Sequence, residues 1–273
     1  MIVNPPARPI ALLQRYKRLW RSLCWLINLL KASRKANLMP HSLKTEQFMQ
    51  KASRDLLNIL NVRVELHGKI PEDLNGLLIV ANHVSWLDIL AMVSVQPMQF
   101  IAKQEIQSWP LLGKVVAGVG TVFINRSQRK DTAKINSVVS EQLKQGQTVA
   151  FFPESRTSDG KGLRSFKGAL FQAAIDSNST VLPIALRYFN ADGKRSSHAA
   201  FIDGVSLPKS LWMVLSEEET VIRIDFTHTL SSSTSDVQEP VTRFKLKQQA
   251  QQQVADLVLD DRDLTRLSEW NYL

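Results

Sequence analysis

The chain has 273 residues, a length for one domain with appendages or for two small ones. Apolar residues make up 44% and charged residues 22%, which excludes a wholly disordered chain, a collagen-like fibre and a disulfide scaffold. The net charge is +9, and residues 1–60 carry all of it, with eleven Lys or Arg against two acids, Glu46 and Asp55. The single cysteine, Cys24, cannot form an internal disulfide and points to a reducing compartment.

A basic arm on a neutral body suggests an anionic partner, either nucleic acid or a membrane surface. The apolar content of the arm favours the membrane. At 100° per residue, Leu12, Leu13, Tyr16, Leu19, Trp20, Leu23, Leu26, Ile27 and Leu30 fall within an arc of roughly 140°. Arg15, Lys17, Arg18 and Arg21 fall opposite, while Trp25 and Leu29 break the pattern. Such a helix suits the plane of a membrane interface. The alternative is an amphipathic helix covering the protein's own core. The stretch Leu23–Leu30, interrupted by Asn28, falls far short of the ~20 residues of a transmembrane helix, and charge resumes at Lys31 without a cleavage site. The expected location is the cytoplasmic face of a membrane, peripheral or monotopic, where anionic lipid attracts Lys and Arg.

Met39-Pro40-His41-Ser42 marks a break, and Leu43–Leu60 repeats Phe48, Met49, Ala52, Leu56, Leu57 and Leu60 at a helical period. Val62, Val64 and Leu66 then alternate with Arg63, Glu65 and His67, as in a half-exposed strand. Leu77–Ala81 reads as a buried strand. Further short apolar runs occupy 99–102, 121–124, 148–152, 181–186 and 221–226. Helical segments are predicted over 86–95, 130–145 and 169–177. This alternation predicts an α/β fold, a mixed central sheet flanked by helices. Residues 231–239 read as a polar loop, followed by an amphipathic helix over 240–259 with Phe244, Leu246, Ala250, Val254 and Leu257 inward. The expected organisation is an arm of two helices (1–60), a central domain (61–230) and a C-terminal loop and helix (231–273).

The buried run at 77–81 ends in Asn82-His83-Val84-Ser85-Trp86-Leu87-Asp88. A histidine just past a strand and before a helix sits where α/β folds expose functional groups. Asp88, in the first turn of that helix, can reach back to the imidazole and fix its tautomer, leaving the other nitrogen to take a proton from a hydroxyl. Ser85-Trp86-Leu87-Asp88 also fits a capping box, in which Asp88 only caps the helix. Gly118-Val119-Gly120 lacks the third glycine and the following helix of a dinucleotide loop. The five histidines show no metal-ligand spacing, so no metal is expected. No Gly-x-Ser-x-Gly nucleophile elbow occurs. Taken alone, Arg126 reads as a surface arginine and Phe152-Pro153-Glu154 as a turn.

Together these pieces resemble the glycerolipid and lysophospholipid acyltransferase family, typified by 1-acyl-glycerol-3-phosphate acyltransferase. Four blocks in order carry the likeness over residues 60–230: Asn82-His83-x-x-x-x-Asp88, Gly120–Arg126, Phe152-Pro153-Glu154 and Val181-Leu182-Pro183-Ile184. The resemblance implies His83 as general base, Asp88 as its orienter, and Arg126 and Glu154 shaping a polar pocket for the lysolipid head group. It implies Lys103 near the substrate phosphate. It implies no cofactor, with acyl-CoA or acyl carrier protein as thioester co-substrate, while the wide apolar stripe of the arm and the His83/Asp88 pair count against nucleic acid as a partner. The third block departs from the common Phe-Pro-Glu-Gly-Thr-Arg-Ser: Ser155 stands for the glycine, and the arginine, Arg156, comes one place early. Thr157-Ser158-Asp159-Gly160 and Leu163-Arg164-Ser165-Phe166 are closer to a subgroup that acylates lyso-ornithine lipid. That reaction and non-catalytic lipid binding at a membrane are the alternatives to acylation of a lysophospholipid.

Overall fold

The computed structural model describes residues 6–36, 42–103, 122–124, 129–233 and 240–260. In chain order, helices α1 (Leu12–Ala36) and α2 (Leu43–Leu60) precede strands β1 (Val62–Gly68) and β2 (Leu78–Ala81). Then come α3 (Leu87–Val95), β3 (Gln99–Lys103), β4 (Val122–Ile124), α4 (Arg129–Lys144) and β5 (Val149–Phe151). A 3-10 turn (Ala169–Phe171) leads into α5 (Gln172–Ser177), followed by β6 (Val181–Asn190), α6 (Leu207–Ser216), β7 (Thr220–Phe226) and α7 (Arg243–Leu259).

The seven described strands form one sheet in the order β1-β7-β6-β2-β5-β3-β4. Strands β6, β2, β5, β3 and β4 run parallel, β7 is antiparallel to β6, and β1 is parallel to β7. The expected mixed α/β sheet is therefore present, with β1 as the half-exposed edge. Alternation along each strand divides the core into two layers. Ile79 and Ala81 of β2, Ala150 of β5, and Leu182, Ile184, Leu186 and Tyr188 of β6 pack with α2, α3 and α6. Leu78 and Val80, Val149 and Phe151, and Val181 and Ala185 pack with α4, α5 and α7 on the other face. Helices on both faces explain why β2 and β5 are uniformly apolar.

Three details differ from the sequence reading, and a fourth is not covered by the described residues. Helix α6 was not expected, although Ser206 stands at its N-cap and Pro208 in its first turn, a favourable start. The segment 169–177 divides into a 3-10 turn and the short α5. Phe244 is exposed, because α7 turns a strict four-residue row, Leu246, Ala250, Val254 and Val258, onto the sheet. The Met39–Ser42 break lies outside the described residues except for Ser42, which caps α2 through the Thr45 amide.

Helix α1 has three faces. Leu19, Trp25 and the buried Leu29 pack against the body. Trp25 and Leu29, which broke the pattern, are thus among the residues that face inward. Leu12, Leu13, Tyr16, Trp20, Leu23 and Ile27 remain exposed, Trp20 by 67%. Lys17 and Arg21 flank this stripe. Ahead of α1, the amides of Ala7 and Arg8 donate to the buried Glu217 carboxylate, both at 3.0 Å. No described helix is long and apolar enough to cross a membrane. Helix α2 is part of the core, with Leu56, Leu57 and Leu60 under the sheet.

After β5 the chain turns sharply, and Ser155 adopts a left-handed conformation with φ of 65°. Glycine takes this conformation without the clash of Cβ against the carbonyl. The serine at the motif's glycine position thus keeps the backbone geometry at a conformational cost. Ser155→Gly should be more stable than Ser155→Ala by about 1 kcal/mol, read from urea midpoints of the two variants. Equal midpoints would mean that the turn carries no such strain.

Candidate active site

Strands β2 and β5 are parallel neighbours, with Val80 opposite Phe151. Their carboxyl ends therefore deliver the loops that begin at Asn82 and Phe152 to one edge of the sheet. Asn82 anchors the first loop. Its side-chain amide donates to the Leu186 carbonyl at 2.9 Å and its carbonyl accepts from the Leu186 amide at 2.7 Å, which extends the β2–β6 ladder by one side chain.

The His83 Nδ1 lies 2.7 Å from Asp88 Oδ2, with Asp88 fully buried and the His83 side chain 20% exposed. The same oxygen accepts from the amides of Val84 and Ser85 at 2.7 and 3.0 Å. The other, Oδ1, accepts from the Tyr188 hydroxyl. Asp88 therefore closes the helix start and holds the imidazole at once. A carboxylate at Nδ1 assigns the proton to that nitrogen, so Nε2 is the basic one. Nε2 makes no hydrogen bond to any described residue. The ring stacks on Phe152, with centroids 3.9 Å apart and planes inclined by 6°. Phe152 in turn lies against Phe100.

Glu154 joins the two loops. One carboxyl oxygen accepts from the His83 amide at 2.7 Å and the other from the Arg164 amide at 2.8 Å. Burial pushes this carboxyl up to about 8, against the opposing pull of the two amides and of the Arg164 charge. The Ser158 amide donates to the His83 carbonyl at 2.8 Å, and the Phe201 amide to that of Val84 at 2.9 Å. Gly160 approaches Val84 so closely, at a positive φ of 76°, that a Cβ would meet the valine methyls at 3.3 Å. Arg156 points to solvent and pairs with the exposed Asp203.

Of the sequence-predicted residues, His83, Asp88 and Glu154 come together. Lys103 ends β3, one strand beyond β5, and only its backbone is described. Arg126 lies outside the described residues. Tyr188 and Phe152 were missed as site residues. A signal existed for Tyr188, since a tyrosine inside the apolar run of β6 needs a partner for its hydroxyl. Burial pushes the Tyr188 pKa well above that of an ordinary tyrosine, and the Asp88 charge adds to it. The hydroxyl thus stays protonated as a donor. Among the described residues no group of three or more His, Cys, Asp or Glu side chains is arranged to hold a metal ion.

A base held by a buried carboxylate, with one nitrogen available at a sheet edge, can take a proton from a hydroxyl. The acyltransferase family model matches residues 61–187, which span both loops. The chain is 47% identical over 211 residues to the 1-acyl-sn-glycerol-3-phosphate acyltransferase of Neisseria meningitidis serogroup B, covering 77% of this chain and 80% of that one. It is 35% identical over 195 residues to the lyso-ornithine lipid O-acyltransferase of Pseudomonas aeruginosa, covering 71% and 72%. The crystal structure of the 1-acyl-sn-glycerophosphate acyltransferase of Thermotoga maritima shares the fold, with a TM-score of 0.66 at 20% identity over 91% of this chain and 95% of that one. With a relative this similar over most of both chains, and with the His83–Asp88 pair inside the matched segment, the chain belongs to the acyltransferase family that includes the 1-acyl-sn-glycerol-3-phosphate acyltransferases.

Proposed function

We propose that this acyltransferase moves a fatty acyl group from acyl-CoA or acyl carrier protein to the free hydroxyl of a lysolipid, 1-acyl-glycerol-3-phosphate in the first place. The observation that carries the reading is the His83 imidazole, fixed by Asp88 at 2.7 Å with Nε2 left to act. Nε2 removes the proton of the lysolipid hydroxyl as its oxygen attacks the thioester carbonyl. The carbon–sulfur bond then breaks, and the imidazolium returns the proton to the leaving thiolate. Asp88 stabilises the imidazolium between the two steps. Lys103 and Arg126 hold the acceptor's phosphate. Glu154 supports the acceptor site from beneath, by tying the His83 loop to the 152–164 loop. The 47% identity to a 1-acyl-sn-glycerol-3-phosphate acyltransferase favours that acceptor. Thr157-Ser158-Asp159-Gly160 and the 35% identity to a lyso-ornithine lipid enzyme support lyso-ornithine lipid as a second. The exposed stripe of α1, with Lys17 and Arg21 beside it, supports a peripheral place on the cytoplasmic face of a membrane carrying anionic lipid.

Purified protein with a panel of lysolipids and labelled acyl-CoA or acyl carrier protein, read by product mass, tests the reaction and ranks the acceptors. His83→Ala should lose roughly 10²–10⁴-fold in kcat while remaining folded, and Asp88→Asn should lose most activity through the wrong tautomer. Tyr188→Phe should lower kcat and leave KM unchanged. Full turnover per folded molecule in Asp88→Asn would reduce Asp88 to a helix cap, an unaffected kcat in His83→Ala would remove His83 as the general base, and no product from any lysolipid would leave only lipid binding.

Glu154 has a consequence for stability. The folded carboxyl keeps its proton up to about pH 8, whereas the unfolded one loses it near 4.5. Between those values the native state binds more protons, so stability falls as pH rises through the window. Glu154→Gln, already neutral, should flatten that part of the urea-midpoint profile between about pH 5 and pH 8. An identical slope in both proteins would place the buried carboxyl in its charged form.

For the membrane reading, Leu13→Ser/Trp20→Ser alters only exposed side chains of α1. The double variant should keep its fold and release from floated anionic vesicles. High salt should weaken wild-type binding without abolishing it, because charge is screened and apolar insertion is not. Flotation of the variant at wild-type level would remove the stripe as the anchor.

A further inference from the structure

A concavity of about 570 Å³ shares no residue with the His83 site. It lies where the segment ahead of α1 crosses the end of α6, and its wall carries Arg8, Lys17, Arg18 and Arg21 against one carboxylate, Glu218, together with Asn61. The four cations are not equivalent. Arg8 is engaged by Asp192 and Glu218. Arg18 donates to the backbone oxygens of Glu217 and Glu218, at 2.7 and 3.0 Å. Burial, and then the neighbouring Arg21, push the Arg18 pKa down. Lys17 and Arg21 are exposed and make no hydrogen bond or ion pair with any described residue. Helix α1 also begins here without an acidic residue in its first turn, so its dipole adds to the positive field rather than being neutralised.

The surroundings of the cleft select among anions. Lys17 and Arg21 share α1 with the exposed Leu13, Tyr16 and Trp20. At 100° per residue, Lys17 is turned only about 40° from Leu13 and about 60° from Trp20 around the axis. A ligand in the cleft therefore has apolar surface within one helical turn. A free phosphate or a nucleotide gains nothing from that surface. A lipid whose phosphate lies at the boundary between water and acyl chains does. We propose that this cleft is a discrete site for the phosphate headgroup of a membrane lipid, a phosphomonoester before a diester, gripped by Lys17 and Arg21 with Arg18 behind them. A monoester carries about −1.5 to −2 at neutral pH, which suits two uncommitted cations and the charge-assisted hydrogen bonds they donate. The inference rests on the membrane reading above and adds to it one stoichiometric site distinct from diffuse attraction.

The test uses the full chain and phosphatidylcholine vesicles that contain phosphatidic acid or phosphatidylglycerol at matched surface charge. Water-soluble dihexanoyl phosphatidic acid is titrated separately without vesicles. Phosphatidic acid vesicles should bind more tightly than the charge-matched set. Lys17→Gln/Arg21→Gln should weaken that binding roughly ten-fold or more. Lys31→Gln/Lys51→Gln removes the same formal charge outside the cleft and should change it by less than about two-fold. The soluble lipid, which the His83 site also holds as the product of the proposed reaction, should bind at two sites per chain, and the cleft variant should lose one of the two. Equal losses in the two double variants, or no preference between the vesicle sets, would reduce the cleft to general electrostatics. Inorganic phosphate or coenzyme A competing as well as the soluble lipid for the site that the cleft variant loses would make it a soluble-phosphate site. Acyl carrier protein binding that is lost in the cleft variant, with phosphatidic acid binding intact, would assign the cleft to an acidic protein. A chain that does not float yet binds the soluble lipid through Lys17 and Arg21 keeps this site while the membrane reading falls.

Discussion

A buried carboxylate is costly unless its oxygens are satisfied, and in this protein Asp88 is fully buried. The imidazole of His83, two backbone amides and the Tyr188 hydroxyl all converge on it. Three of these donors meet at Oδ2 and the fourth at Oδ1, so both oxygens are engaged. It cannot rotate without leaving a buried donor unpaired, and neither can the histidine it holds. The loop between β2 and α3 is thus shaped by an electrostatic demand rather than by packing alone. Phe152, stacked flat on the ring at 3.9 Å, removes what freedom remains.

The sheet order makes that arrangement possible. Because β5 lies beside β2 in parallel, the loop with Glu154 reaches the His83 amide from one side. Because β6 lies on the other side and continues beyond the end of β2, its later residues overhang the loop. Leu186 takes the Asn82 side chain there, and Tyr188, two residues on along the same face of the strand, reaches Asp88. Strand β6 holds this overhang because β7 pairs with it along Ile184–Asn190. The bidentate Arg187–Asp225 pair, with both contacts at 2.8 Å, ties the two strands at the same level.

The parts of the site that are legible in the sequence are local ones. His83 and Asp88 are five residues apart across a strand end and a helix start, so a single turn decides their contact. Tyr188 is a hundred residues further on, and only strand order brings it to Asp88. Glu154 illustrates a different limit. A carboxylate in a motif suggests a charge that meets substrate, but burial and two backbone amides turn it into a bracket between loops. Helix α6 was legible through Ser206 and Pro208, and its short apolar run, Leu211–Leu215, concealed it among strand-like runs. Phe244 shows the weight of a regular row over a single large residue. Four smaller side chains at four-residue spacing orient α7, and the phenylalanine in its first turn faces outward.

Helix α1 carries more apolar surface than its packing on the body needs. A helix that only covered the core would bury one stripe and end it in polar residues. Here Leu19, Trp25 and Leu29 meet the body, and a second stripe from Leu12 to Ile27 continues around the helix into solvent. The helix is nevertheless tied to the His83 loop through solid structure. Tyr16 and Arg15 meet Trp212 on α6, and Ser210, one half-turn away, accepts from the Trp86 indole at 3.0 Å. Trp86 stands three residues after His83 and two before Asp88. On the opposite side, Gln50 and Arg54 of α2 donate to the carbonyls of Val95 and Ser94 at the end of α3. Helix α3 is thus held at its start through α6 and at its end through α2, and α1 packs against both of those helices. A surface that engages the outer stripe of α1 therefore meets the His83 edge through helices packed on one another.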